Sequence, residues 1–162
     1  MSQISIVTEE NIGNTLEVVD TKLQVNIDND TIKKNDNGEL YTESPNVTVT
    51  MVAGEVLSGG MLVYIEGDGK IYKFNASDVS LNGKSLGFTN HSSIVDQPTT
   101  VVKSGKCIEL GGLQAGLKYF AGNSGGVVST PPTIGIRQVV GTAESATIML
   151  VGIQESFIKI AD

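Results

Sequence analysis

The chain has no tryptophan, one cysteine, one histidine and four prolines in 162 residues, and aromatics make up only 5% of it. A single cysteine, Cys107, excludes an intramolecular disulfide, and one histidine with one cysteine cannot build a structural zinc site. Cys107, in Lys106-Cys107-Ile108, reads as a small buried hydrophobe rather than a reactive thiol. Positive charge is also scarce: 11 Lys and Arg against 18 Asp and Glu leave a net charge of −7 and a pI near 4.6. Nucleic acid and anionic membranes need a cationic face, so neither is an expected partner, and the acidity reads as solubility. No apolar run approaches the ~20 residues that span a bilayer. The start, Met1-Ser2-Gln3 with Glu9-Glu10 following, lacks the basic and apolar regions of a secretion signal, so the expectation is synthesis in a reducing cytosol.

What is abundant is glycine, 19 residues, and it recurs in one pattern. Short β-branched or alternating apolar runs end in glycine turns: Val47–Met51 before Gly54, Met61–Ile65 before Gly67-Asp68-Gly69-Lys70, Ile71–Phe74 before Asn82-Gly83, and Ile148–Val151 before Gly152. Asp-Gly or Asn-Gly between apolar runs is the strongest short hairpin signal. Further strands are expected at Ser85–Phe88, Thr99–Lys103 and Lys106–Leu110 around Ser104-Gly105, Leu117–Ala121, Arg137–Val140 and Thr147–Val151, before a tail at Phe157–Ile160. No window sustains a 3.6-residue period, so helix should be minor. The expected class is all-β, a small antiparallel barrel-like or sandwich domain. Its candidate core is Val63, Ile65, Ile71, Phe74, Val101, Ile108, Tyr119, Val139, Ile148 and Leu150.

The first 45 residues differ in texture. Leu23, Val25 and Ile27 alternate with polar residues, and Asp28-Asn29-Asp30 and Asn35-Asp36-Asn37-Gly38 make turns. Strands this short bury little surface alone, and an isolated hairpin is marginal. Residues 1–45 therefore read as a fibre-like strand-and-turn arm for attachment or oligomerisation, and 46–162 as the compact β domain. Glu43-Ser44-Pro45-Asn46 is the expected linker, since proline interrupts pairing.

Motifs that promise chemistry fail on spacing. Gly122-Asn123-Ser124-Gly125-Gly126 resembles the nucleophile segment of chymotrypsin-like proteases, and His91 and Asp96 complete a His–Asp–Ser order. Only about 5 residues separate His91 from Asp96 and about 33 separate His91 from Ser124, too few to span two barrels and return to one site. The segment reads instead as a flexible loop of glycines and small polar residues. Asp28, Asp30 and Asp36 lack the twelve-residue loop and terminal glutamate of an EF-hand, and read as turn formers. Asn46-Val47-Thr48, Asn75-Ala76-Ser77 and Asn90-His91-Ser92 match the glycosylation sequon only by composition. No catalytic, cofactor-binding or metal-ligating residue is expected, and no cofactor.

A resemblance adds to this reading. Ala53-Gly54-Glu55 … Gly60 … Val63-Tyr64 … Asp68-Gly69-Lys70-Ile71-Tyr72-Lys73 … Ala76-Ser77 … Leu86-Gly87-Phe88 is similar to a domain of tailed-bacteriophage virion structural proteins. Gly112-Leu113 … Gly116-Leu117-Lys118-Tyr119-Phe120 … Gly125-Gly126 … Ser129-Thr130-Pro131-Pro132 … Gln138-Val139-Val140-Gly141-Thr142-Ala143 continues it, over roughly residues 50–152. The arm resembles the short strand-and-turn units of phage fibres. The resemblance implies a non-enzymatic head-fibre or capsid decoration protein, exposed on the virion surface as a homotrimer and bound to the major capsid protein or other virion proteins. A tail fibre or adhesin component binding a host-surface receptor or glycan is the alternative. In either case Asn90–Gln97 and Gly122–Gly126 are the loops expected to touch a host cell surface, because binding residues favour loops on a rigid scaffold.

Overall fold

The computed structural model describes residues 46–160 in full and, before them, the backbone of four short strands. Contacts divide the chain into two compact units, Met1–Pro45 and Asn46–Asp162. In the first unit β1 (Leu16–Val19) pairs antiparallel with β2 (Lys22–Val25), and β3 (Lys33–Lys34) with β4 (Leu40–Tyr41). The turn residues Asp28, Asp30 and Asp36 lie outside the described residues.

The second unit is all-β: strand makes up 45% of its described residues against 3% helix. Its elements are β5 (Val47–Val52), β6 (Leu62–Ile65), β7 (Ile71–Lys73), a 3-10 turn at Val79–Leu81, β8 (Ser85–Thr89) and β9 (Pro98–Cys107). They continue with β10 (Lys118–Ala121), β11 (Val127–Val128), β12 (Gly135–Arg137), β13 (Val139–Ala143), β14 (Met149–Gly152) and β15 (Phe157–Lys159). One nine-stranded antiparallel sheet runs β11-β10-β13-β14-β9-β8-β6-β7, with β5 also on β9, and curls into a half-barrel. β12 and β15 form a separate ribbon.

The hub is β9. Its ten residues pair with β5, β8 and β14. The two strands expected around Ser104-Gly105 are therefore one, kinked rather than turned. Gly105 has φ 103, and a Cβ there would overlap the Asn46 side chain. That side chain grips the kink from both sides: Asn46 Oδ1 accepts from Lys106 N–H at 2.7 Å and Asn46 Nδ2 donates to Lys106 C=O at 2.8 Å. Asn46 thus belongs to the domain and not to a linker. Likewise, the expected strand Arg137–Val140 splits at Gln138. The buried amide of Gln138 accepts from Ser85 Oγ and donates to Gln154 C=O, both at 2.8 Å, letting β12 leave for β15 while β13 stays in the sheet. Asn82-Gly83 closes the 3-10 turn rather than a hairpin: β7 and β8 flank β6 on opposite edges.

Two apolar clusters sit on opposite faces of the central strands. Leu62, Phe74, Phe88, Val102, Cys107, Ile136, Val140 and Met149 belong to the larger. Ala53, Leu57, Val63, Ile71 and Val101 form the smaller, under the Ala53–Leu57 segment. Because successive strand residues point to opposite faces, consecutive pairs such as Leu62-Val63 and Val101-Val102 feed both clusters.

Of the ten core candidates, Val63, Ile71, Phe74, Val101 and Tyr119 are buried. Val139 and Ile148 are half-buried, and Ile65, Ile108 and Leu150 are exposed. The error at 139 and 150 is one of phase. Val140, Met149 and Val151 point inward, and a one-residue offset exchanges the faces of a whole strand. Ile65 approaches the β6–β7 hairpin tip, beyond the cover of the smaller cluster, and Ile108 follows the last residue of β9.

Candidate functional site

The protease-like residues are not brought together. Asp96 Oδ1 lies 2.6 Å from Lys70 Nζ, an exposed pair that ties the 90–97 loop to the β6–β7 hairpin. His91 instead faces Ser92 C=O through Nδ1 at 3.1 Å, and Thr99 and Thr100 at 3.5 and 3.4 Å. Asp96 N–H donates to Ala53 C=O at 2.8 Å. The carboxylate that would orient the imidazole is thus engaged by a lysine. Ser124, at φ 53, forms the tip of a turn rather than a nucleophile elbow beside a base.

The loop Gly122–Gly126 is pinned, against the expectation of flexibility. Gly122 C=O accepts from Ala76 N–H at 3.0 Å, Gly125 N–H donates to Phe74 C=O at 2.7 Å, and Gly125 C=O accepts from Leu62 N–H at 2.8 Å. Asn123 Oδ1 accepts from both the N–H and the Oγ of Ser77, at 3.1 and 2.9 Å. Gly125, at φ 76, sits 3.1 Å from Met61 Cβ by the position its own Cβ would take. This loop joins β10–β11 to β6 and β7, so glycine is required there for close approach and positive φ.

Loop Asn90–Gln97 is held in the same manner. Leu57 and Ser93 exchange backbone hydrogen bonds at 2.8 and 2.9 Å, and Ala53 N–H donates to Gln97 C=O at 2.9 Å. Between the two segments lies an open groove of about 460 Å³, with Val56 and Ile94 exposed at its rim. A second open groove, about 690 Å³, lies beside β11 and includes Ser77, Asn123, Thr130 and Ile134.

A densely bonded polar surface is the β6–β7 hairpin. Tyr72 Oη donates to Asp68 Oδ2 at 2.8 Å, and Lys70 N–H donates to Asp68 Oδ1 at 2.9 Å. These bonds, Lys70 N–H first, hold the Asp68 carboxyl below its ordinary pKa. The same Asp68 bond pushes the Tyr72 hydroxyl up, and the Asp96 bond raises Lys70. Tyr64 and Tyr72 rings are tilted with centroids 6.1 Å apart. Gly54 lies directly under Tyr72, where a Cβ would overlap the ring. Each of these groups has an intramolecular partner, and the arrangement braces a turn.

Cys107 is fully buried and its Sγ is 3.9 Å from Thr89 C=O. Burial pushes its thiol up, opposite to what a nucleophile needs. Two sequon asparagines have structural duties: Asn46 clamps β9, and Asn75 Oδ1 accepts from Ser77 N–H at 3.1 Å in a turn. Among the described residues, no group of three or more His, Cys, Asp or Glu is placed to hold a metal, and no helix is long and apolar enough to cross a membrane. The ties missed from sequence, Lys70–Asp96 and Ser77–Asn123, join residues 26 and 46 positions apart and carry no local signal.

No protein-family profile matches the chain, and no curated protein matches it.

Proposed function

We propose that the chain is a non-enzymatic structural protein of a tailed-bacteriophage virion, a capsid decoration protein or head fibre displayed on the particle surface. The observation that carries this reading is the two-part build: a short-stranded unit, Met1–Pro45, and a curled β domain from Asn46 whose prominent loops are tied back into the sheet. A domain so braced suits display on a particle, and its acidic composition disfavours adhesion between particles. Strands of two to four residues in the first unit bury little by themselves, which favours their use in attachment or in trimerisation. The order of turn glycines over residues 50–152 supports the same assignment by resemblance.

Two measurements test it. Antibody labelling of purified virions, viewed by electron microscopy, should place the protein on the head. Labelling at the tail would transfer the assignment to a tail fibre or adhesin, and absence from the particle would refute it. Binding to capsids should require residues before Pro45 and be unchanged by Ser124→Ala.

A further inference from the structure

Asn82-Gly83, a turn signal in the sequence, is also a chemically labile pair. In an Asn-Gly step the backbone nitrogen of the glycine can attack Cγ of the asparagine, and glycine has no Cβ to obstruct the approach. The nitrogen gives up its proton, an N–Cγ bond forms, and the Cγ–Nδ2 bond breaks with loss of ammonia. Water then opens the resulting five-membered imide at either carbonyl, leaving aspartate or isoaspartate. Asn82 and Gly83 are exposed and line an open groove of about 440 Å³ with Gln138 and Ser156, so water has access to the pair.

The fold holds this pair away from reaction in two ways. Asn82, at φ −56 and ψ 125, and Gly83, at φ 77, are the central residues of a type II turn, closed by Lys84 N–H on Leu81 C=O at 3.0 Å. Ring closure requires the Gly83 nitrogen to eclipse Cβ across the Asn82 Cα–C bond. In an L residue that needs a strongly negative ψ, and at 125 the nitrogen eclipses Hα instead. Moving ψ takes the pair out of the type II turn and breaks the Lys84–Leu81 bond. The attacking group is also engaged: Gly83 N–H donates to Ser156 Oγ at 2.9 Å, across 73 positions of sequence. One buried amide, Gln138, fixes the chain on both sides of this bond. Its Oε1 accepts from Ser85 Oγ and its Nε2 donates to Gln154 C=O, each at 2.8 Å. Gln154 N–H in turn donates to Val139 C=O at 2.9 Å, so Ser156 is presented from an anchored segment.

We propose that Asn82 is a deamidation site held closed by its turn and by Ser156, and that it reacts when the Ser156 segment leaves the turn. Deamidation places a new carboxylate two residues before Lys84. The isoaspartate product also lengthens the backbone by one methylene, which a turn closed by an i to i+3 bond does not accommodate. The change runs one way, so the product records how often this corner of the domain opens. The inference concerns residues of the second unit alone and is independent of the virion assignment.

The test is incubation of the folded full chain at mildly alkaline pH, with conversion at Asn82 followed by peptide mapping and mass spectrometry. Mapping also separates Asn82 from the other Asn-Gly pair of the chain, Asn37-Gly38. A free peptide of residues 79–86 and the Ser156→Ala chain are incubated in parallel. The folded wild type should convert at least about tenfold more slowly than the peptide, since both the turn bond and the Ser156 bond must open first. Ser156→Ala, with wild-type far-UV circular dichroism, should convert about two- to tenfold faster than the wild type, the range that one lost hydrogen bond gives. If Ser156→Ala loses its β spectrum, amide exchange at Gly83 of the wild type decides: slow exchange supports the bond to Ser156, and exchange at the free-peptide rate refutes it. Equal rates in the folded chain and the peptide overturn the proposal. A Ser156→Ala rate equal to that of the wild type overturns the part given to Ser156.

Discussion

Neighbouring residues of β14 offer the most discriminating test of the fold. Met149 is fully buried in the larger cluster and Leu150, next to it, is 44% exposed. Sequence pattern alone favours Leu150 as the core residue, and the structure reverses that choice. Truncating Met149 to Ala removes a buried side chain packed near Gly141, where a Cβ would come within 2.7 Å of Met149 Cγ. So close an approach leaves little room for collapse into the void, and the expected loss is about 2–5 kcal/mol. Leu150→Ala deletes a side chain already half in water and should cost under about 1 kcal/mol. Against a total of roughly 5–15 kcal/mol for a domain, the first loss is severe and the second minor. Urea titration reads both: with a slope of about 1–3 kcal/mol per molar, Met149→Ala should lower the midpoint by at least ~0.7 M. Tyrosine emission is the appropriate signal, because the chain lacks tryptophan and Tyr64, Tyr72 and Tyr119 all sit in strands of this unit. A Leu150→Ala loss equal to or larger than that of Met149→Ala would refute the register of β14 against β9 and β13.

Two further outcomes follow from the β6–β7 hairpin. Gly54→Ala forces the Tyr72 ring aside and breaks its bond to Asp68, so the Tyr72 hydroxyl should titrate lower, toward ordinary tyrosine; a ring resonance with unchanged pH dependence by NMR would count against this. Asp68 has a folded pKa below its ordinary 3.8, so its contribution to stability is complete above that value and is lost as pH falls through the folded pKa. Asp68→Asn should therefore flatten the acid limb of the stability profile and leave neutral behaviour with no acid-dependent component from this site, which urea midpoints measured across the acid range would show.

How much of this was legible in the sequence differs by element. The Gly67–Lys70 hairpin was legible because its signal is local: Gly69 takes φ 79 and Asp68 caps Lys70 N–H within the turn itself. Strand existence was legible wherever apolar residues cluster between turns, as at Val47–Val52 and Lys118–Ala121. Facing was not legible in β13 and β14, since Val139-Val140 and Met149-Leu150-Val151 are continuous apolar runs that give no phase to follow. The kink at Gly105 was also hidden. A glycine between β-branched residues signals a turn, and only the distant Asn46 side chain, 60 positions away from Lys106, makes it a bend within one strand.

The same distinction bears on the candidate sites. Ser124 and Asp96 drew notice as parts of a His–Asp–Ser order, and they are the two residues other than glycine with positive φ among the described residues, at 53° and 65°. Backbone strain of this kind persists only when the surroundings over-determine it, and at functional sites it commonly serves catalysis or binding. Here the surroundings are visible. Ser124 lies between Asn123, bonded to Ser77, and Gly125, bonded to Phe74 and Leu62; Asp96 is bonded to Ala53 through its backbone and to Lys70 through its carboxylate. In both loops the strained residue sits where segments far apart in sequence are tied together. The strain thus maintains loop position. Small polar residues and glycines are selected at both places by the demand for tight, bonded turns, and that demand alone accounts for a protease-like string of letters in a chain whose histidine, aspartate and serine serve separate corners of the sheet.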